Sequence, residues 1–158
     1  MKIYKSYLKT EIGILEISGN ENGLYAINFL DSIPEDAPHT IDLSLQPAVT
    51  QLEEYFQGER KEFSLKYQLE GTDFQKQVWQ ALTKIPYGKT ATYLDIAKML
   101  GNEKAVRAVG NANNKNKLPI VIPCHRIIGA NRKLVGYAGG LWRKSWLLEH
   151  EMTLFQLD

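Results

Sequence analysis

Residues 92–113 read Thr-Tyr-Leu-Asp-Ile-Ala-Lys-Met-Leu-Gly-Asn-Glu-Lys-Ala-Val-Arg-Ala-Val-Gly-Asn-Ala-Asn. Thr92 and Asp95 stand three apart, as the two ends of a capping box do, with Asp in place of the usual Glu. A helix is therefore predicted from Thr92 through Leu100, closed by Gly101. After a tight turn at Asn102-Glu103, a second helix is predicted over Lys104–Asn113. Two short helices joined by a Gly-containing turn make a helix-turn-helix candidate, and an ordinary αα-hairpin is the competing reading. Ala105, Ala108, Gly110 and Ala112 are small enough to let the second helix approach another surface closely. Lys104 and Arg107 add positive charge to it.

Working outward, Thr72 or Asp73 is expected to cap a preceding helix that carries Phe74, Val78, Leu82 and Ile85 at helical spacing. Pro86-Tyr87-Gly88-Lys89 ends it. On the other side, a helix is predicted over about Gly140–Glu151. Its apolar side comprises Leu141, Trp142, Trp146, Leu147 and Leu148, with both tryptophans as core anchors. Glu151 falls at the C-terminal end, where the helix dipole disfavours a carboxylate, so a cationic or hydrogen-bonding partner is expected. His125 is the candidate.

The N-terminal half has a different period. Lys2–Leu8, Gly13–Ser18 and Leu24–Leu30 alternate apolar and polar residues, as an antiparallel meander does. Ser44 is expected to cap a helix through Phe56 that Gly58 terminates. Glu62–Leu69 reads as one more strand. The fold class is thus α+β. A small β-rich subdomain, an antiparallel sheet with a helix, occupies residues 1–70. A helical subdomain with the helix-turn-helix candidate and the Pro-Cys-His-Arg stretch at residues 123–126 occupies residues 71–158.

The chain has 158 residues, 44% of them hydrophobic and 23% charged, enough for a packed core. The net charge is only +1, so overall charge does not announce a nucleic-acid partner. Its distribution is more telling. Acids outnumber bases up to Glu70 and bases prevail from Gly71, which predicts a basic face on the C-terminal part. The N-terminus has no apolar signal core, and no stretch approaches membrane-spanning length. A single cysteine makes neither an internal disulfide nor a Cys-rich zinc site, and the three histidines show no metal-ligand spacing. A reducing cytoplasm is the expected compartment.

That cysteine is the residue with chemistry. It sits in Ile122-Pro123-Cys124-His125-Arg126, at the end of an apolar stretch bounded by Pro119 and Pro123. A lone intracellular cysteine is often only a small buried hydrophobe. An adjacent imidazole and guanidinium, however, predict a thiol pKa below the free value of about 8.5 and an available thiolate.

The run Asn116–Ile128 resembles the active-site segment of the O6-alkylguanine-DNA alkyltransferases. Thr92-Tyr93, Lys104–Gly110, Gly136–Leu141 and Trp146–Glu151 resemble further blocks of that family, in its order and spacing. The resemblance covers about Phe74 to Glu151. It implies stoichiometric, irreversible transfer of an alkyl group from O6 of guanine, and more weakly from O4 of thymine, to Cys124, with no cofactor. His125 and Glu151 match the pair that activates the nucleophile, the imidazole acting through a water. Tyr93 matches the tyrosine that protonates N3 of the departing guanine. Asn116 matches a hinge asparagine that bonds the active-site backbone.

Because the target base lies inside a duplex, it must be flipped out. Arg107 matches the arginine that fills the vacated stack. Lys104, Ala105, Ala108, Gly110 and Asn113 belong to the matching recognition helix, which enters the minor groove, with Thr92 and Tyr93 beside it. Pro119, Cys124, Ile127, Tyr137 and Ala138 match the base and alkyl pocket. Some relatives carry serine at the position of Ala138, so one hydroxyl donor is absent here. Double-stranded DNA containing O6-alkylguanine is the expected partner of a monomeric protein. The rival reading is a non-catalytic helix-turn-helix lesion sensor. Members of one such group carry tryptophan in place of the nucleophile, which Cys124 argues against. A Cys-His hydrolase is a weaker third, since no oxyanion-hole loop is apparent.

Overall fold

Capping, burial and turn chemistry account for most of the element boundaries in the computed structural model, which describes residues 2–151. The chain divides into two compact units, Met1–Leu69 and Glu70–Asp158.

The described residues of the first unit carry a three-stranded antiparallel sheet, β1 (Tyr4–Thr10), β2 (Gly13–Asn20) and β3 (Gly23–Leu30), in that spatial order. β1 runs two residues further than the alternation implied. The Thr10 hydroxyl donates to the Gly13 carbonyl at 2.8 Å and accepts from the Ile12 amide, so pairing continues into the hairpin turn. Helix α1 (Gln46–Phe56) packs on β1. Ile12, Leu15, Ile17 and Ile27 form the unit's apolar interior with Leu45, Val49, Leu52 and Tyr55.

Ser44 does not cap α1. Its amide and hydroxyl both bond the Asp42 carboxylate, and Leu45 takes the cap position ahead of Pro47 in the first turn. Gly58, at φ 79°, follows the helix end. The strand expected over Glu62–Leu69 is reduced to one parallel bridge, Leu24 to Tyr67, whose bonds are Leu24 amide to Lys66 carbonyl and Gln68 amide to Leu24 carbonyl. The Gln68 side chain bonds the Gly23 carbonyl and Asn20 instead of extending the ladder.

In the second unit, Thr72 caps α2 (Asp73–Leu82) in a complete capping box with Gln75. Ile85 lies just past that helix, buried in the turn that leads to Pro86. Thr92 and Asp95 form the second capping box, at the start of α3 (Tyr93–Met99), and Gly101 at φ 76° follows its end. Glu103–Ala105 form a 3-10 turn, so the next regular helix, α4, spans Val106–Asn114 and starts later than Lys104. The Trp79 indole N–H donates to the Ala112 carbonyl at 2.9 Å and ties α2 to α4. A short parallel pair, β4 (Ala91–Thr92) with β5 (Ile127–Ile128), joins the start of α3 to the end of the segment Asn116–Ile128.

Helix α5 (Leu141–His150) turns a different side inward from the one its apolar residues suggest. Leu147 and Leu148 are buried, but Leu141 is 49% and Trp142 56% exposed. Trp146 stacks on His150 at 4.7 Å. Lys144, not Trp142, lies on the inward face with Leu147, Leu148 and Glu151, one helical repeat apart. No helix among the described residues is long and apolar enough to cross a membrane.

Candidate active site

The segment Asn116–Ile128 is bridged by the side chain of its first residue. Asn116 spans it: its Nδ2 donates to the Ile122 carbonyl at 2.8 Å and its Oδ1 accepts from the Leu118 amide at 3.0 Å. Between them Ile120 adopts φ 76°. That conformation costs a β-branched residue about 1–3 kcal/mol and persists only where the surroundings enforce it. Here Leu118, Pro119, Ile120 and Ile122 are all buried. Pro123 then leads into a 3-10 turn, Cys124–Arg126, which places three chemically different side chains in the interior.

Cys124 is 5% exposed. Burial pushes its thiol up to about 11, against the downward pull of a hydrogen bond from Asn116 and the positive charge of Lys144. This corrects the expectation drawn from the adjacent His-Arg pair. The thiol is protonated at rest, and the neighbouring guanidinium is committed elsewhere.

It is committed to Glu151. Arg126 Nε donates to Glu151 Oε1 at 2.8 Å and a terminal nitrogen to Oε2 at 3.1 Å, while Nη1 donates to the Ile85 carbonyl at 2.7 Å. The guanidinium also lies 5.7 Å from the centre of the Tyr87 ring. His125 Nε2 is 2.7 Å from Glu151 Oε2, and neither side chain has any exposed surface. Burial alone would raise the Glu151 carboxyl, but hydrogen bonds from His125 and Arg126 hold it well below the usual carboxylate range. It is therefore ionised and needs donors.

That requirement assigns the histidine tautomer: Nε2 carries the hydrogen and gives it to Oε2. Burial lowers the His125 pKa from 6.5, and the cations Arg126 and Lys144 lower it further, outweighing the upward effect of Glu151. The imidazole is neutral at rest. Its Nδ1, which is buried and has no hydrogen-bond partner among the described residues, is left as an acceptor.

Tyr93 stands at the start of α3 with its hydroxyl donating to the Val135 carbonyl at 3.4 Å. Burial, followed by the charge of Cys124, raises its pKa, so it holds its proton at neutral pH. Burial also raises Tyr137 well above 10, again with a contribution from Cys124. Both phenols thus fall within the electrostatic reach of the thiol. Ile127 is buried behind the turn and Ala138 is exposed on the loop that precedes α5.

On the helix-turn-helix, Lys104, Arg107 and Ala108 are exposed. Ala105, Gly110 and Thr92 are half-buried, and a Cβ at Gly110 would sit 3.6 Å from the Tyr93 ring. Ala112 and Asn113 are buried, so they face the interior and not the outer surface of α4. Two residues escaped sequence reasoning. Lys144 was detectable, because it interrupts the inward spacing of residues 147, 148 and 151. The commitment of Arg126 to Glu151 had no local signal.

Comparison with known proteins bears on both units. Residues 73–153 match the family model described as 6-O-methylguanine DNA methyltransferase, DNA binding domain. Residues 3–69 match the one described as 6-O-methylguanine DNA methyltransferase, ribonuclease-like domain. A methylated-DNA–protein-cysteine methyltransferase of Methanosarcina acetivorans is 47% identical over 154 residues, covering 94% of this chain and 98% of its own. The constitutive methylated-DNA–protein-cysteine methyltransferase of Bacillus subtilis is 52% identical over 123 residues, 77% of this chain and 74% of its own. The crystal structure of Mycobacterium tuberculosis OGT in complex with DNA superposes with a TM-score of 0.84 at 44% identity, covering 94% of this chain and 93% of that one.

Proposed function

The chain belongs to the O6-methylguanine DNA methyltransferase family and acts in DNA repair by alkyl transfer, and on that premise we propose which residues carry the reaction and in what order. Cys124 is the acceptor. His125 Nδ1 takes the thiol proton through a water, and Glu151 stabilises the imidazolium that forms. The thiolate attacks the alkyl carbon as the carbon–oxygen bond breaks, and the electron pair stays on guanine. Tyr93 gives the departing base its proton at N3. The imidazolium proton returns to the Tyr93 phenolate through solvent, so in net terms the thiol proton replaces the alkyl group, and the thioether remains on the protein.

The observation that carries this reading is a buried thiol next in sequence to a buried imidazole whose Nε2 lies 2.7 Å from an ionised Glu151 carboxylate, leaving Nδ1 as an acceptor. A protonated thiol at rest suits a suicide protein, because nucleophilicity is released only when a base accepts the proton.

The partner is double-stranded DNA containing O6-alkylguanine. The exposed Lys104, Arg107 and Ala108 meet the minor groove, and Arg107 replaces the flipped base in the stack. Pro119, Tyr137 and Ala138 line the pocket for that base. The protein acts as a monomer in the cytoplasm, where its one thiol stays reduced.

Intact-mass measurement after mixing with an excess of O6-methylguanine duplex tests the assignment. One added methyl per chain, on the peptide that contains Cys124, is expected. Repeated turnover, or a methyl on any other residue, overturns it. Tight DNA binding with unchanged mass would favour the lesion-sensor reading.

A further inference from the structure

Lys144 is the one fully buried lysine among the described residues, at 0% relative exposure. Lysine is almost never buried completely unless something offsets the loss of hydration. Among the described residues its ammonium donates to two backbone carbonyls, of Val135 at 2.8 Å and Gly136 at 3.1 Å. The Val135 carbonyl also accepts from the Tyr93 hydroxyl. Gly136 has φ 58°, and a Cβ built there would lie 3.1 Å from that same hydroxyl. The segment Val135–Gly136 is thus gripped from α5 by Lys144 and from α3 by Tyr93.

We propose that Lys144 is a positioning residue for alkyl transfer, whose buried ammonium fixes the Val135–Gly136 backbone against Tyr93 and supplies the positive charge that balances the Cys124 thiolate. This rests on Cys124 being the nucleophile. Arg126 does not supply that charge, because its guanidinium is paired with Glu151. Lys144 does: its charge lowers the thiol pKa and the thiol's charge raises that of Lys144. Burial pulls Lys144 down to about 8, so the ammonium still prevails at neutral pH. The other titratable groups around the thiol are the neutral Tyr93 and Tyr137 phenols and His125, and the His125 imidazolium is itself opposed by Lys144. The lysine therefore favours the thiolate while discouraging a resting imidazolium.

The test uses the full chain with Lys144→Met, Lys144→Gln and Lys144→Arg, each checked by thermal unfolding. Because Cys124 is the only cysteine, the pH dependence of iodoacetamide alkylation reports its acidity without DNA or repair. At pH 7, where Lys144 is charged, Cys124 in both neutral variants should be alkylated about tenfold more slowly, the equivalent of about one unit of thiol acidity. Single-turnover methyl transfer at saturating DNA and pH 7 should fall by a similar factor. DNA affinity on a Cys124→Ser background should not change, since a fully buried lysine touches no phosphate. Lys144→Arg should restore most of the thiol acidity.

A folded Lys144→Gln protein whose thiol is alkylated at the wild-type rate at pH 7 overturns the proposal, as does Lys144→Arg behaving like Lys144→Gln. If the methionine variant fails to fold, the glutamine variant decides, because it keeps a neutral N–H donor on the same face of α5. If neither neutral variant folds, the lysine is structural only and the proposal falls. If the wild-type protein transfers no methyl at all, the assigned chemistry fails, while the iodoacetamide titration still decides whether Lys144 acts on the thiol.

Discussion

His125 and Glu151 are 26 residues apart in sequence, yet their side chains meet at 2.7 Å with no exposed surface on either. The contact places a carboxylate at the C-terminal end of α5, where the helix dipole opposes it. Arg126 and His125 are what make that position tolerable.

Replacing Glu151 by Gln keeps the shape and removes the charge. The His125 imidazolium then loses its stabiliser, so the apparent thiol pKa should rise and single-turnover transfer at pH 7 should fall by about 10²-fold. Arg126 is left as a buried guanidinium facing a neutral amide, so a loss of about 3 kcal/mol in stability is expected as well. Comparing the position of the pH–rate profile with wild type, below the melting range of both, separates the two effects. Coincident profiles would remove Glu151 from the activation of Cys124.

Acid should unfold the protein in two stages with the same sign. His125 titrates below 6.5 in the folded state, so the unfolded chain binds its proton first and stability starts to fall as the pH drops through 6.5. Glu151 is depressed below its ordinary 4.5, so the stability it contributes is complete above that value and is lost as the pH falls further. Melting temperatures at pH 7, 5.5 and 4 should decline, more steeply below 4.5, and Glu151→Gln should flatten the lower limb. A melting temperature that stays constant from pH 7 to 4 contradicts both assignments.

Arg107 is exposed on α4 and makes a selective test of base flipping. Arg107→Ala should slow repair of duplex DNA by about tenfold or more, while alkylation of Cys124 by iodoacetamide stays at the wild-type rate, because that reaction needs no flipped base. Its melting temperature should stay near wild type, as for most surface substitutions. Equal slowing in both reactions would locate the defect in the fold or the pocket.

Gly136→Ala forces a side chain into a left-handed conformation, at a cost of about 1–2 kcal/mol. It also brings a methyl to 3.1 Å from the Tyr93 hydroxyl. Lower thermal stability and slower methyl transfer with unaltered DNA affinity are the expected result. A wild-type transfer rate would mean that the loop is free to move away from Tyr93 during the reaction.

The amino-acid sequence by itself determined what local chemistry determines. Thr72 with Gln75 and Thr92 with Asp95 mark two helix starts, because a capping side chain needs only a neighbour three residues on. Alternation in the first thirty or so residues marks the hairpins, because a strand's two faces follow from its pleat. Ser44 shows where that reasoning ends: Asp42 competed for its hydroxyl, and the cap was lost.

The tertiary structure decided the charge state of the site and the orientation of α5. Cys124 beside His125 and Arg126 reads as an activated thiolate until burial raises its pKa and Glu151 takes up the guanidinium. Trp142 and Lys144 are two residues apart, and composition assigns the tryptophan to the core and the lysine to water. The fold reverses this: carbonyls of Val135 and Gly136 accept from a cation on the inward face, whereas Trp142 stays outside with Arg143 4.5 Å from its ring centre. Which side of a helix is the inside depends on the groups that cover it, and those come from distant parts of the chain.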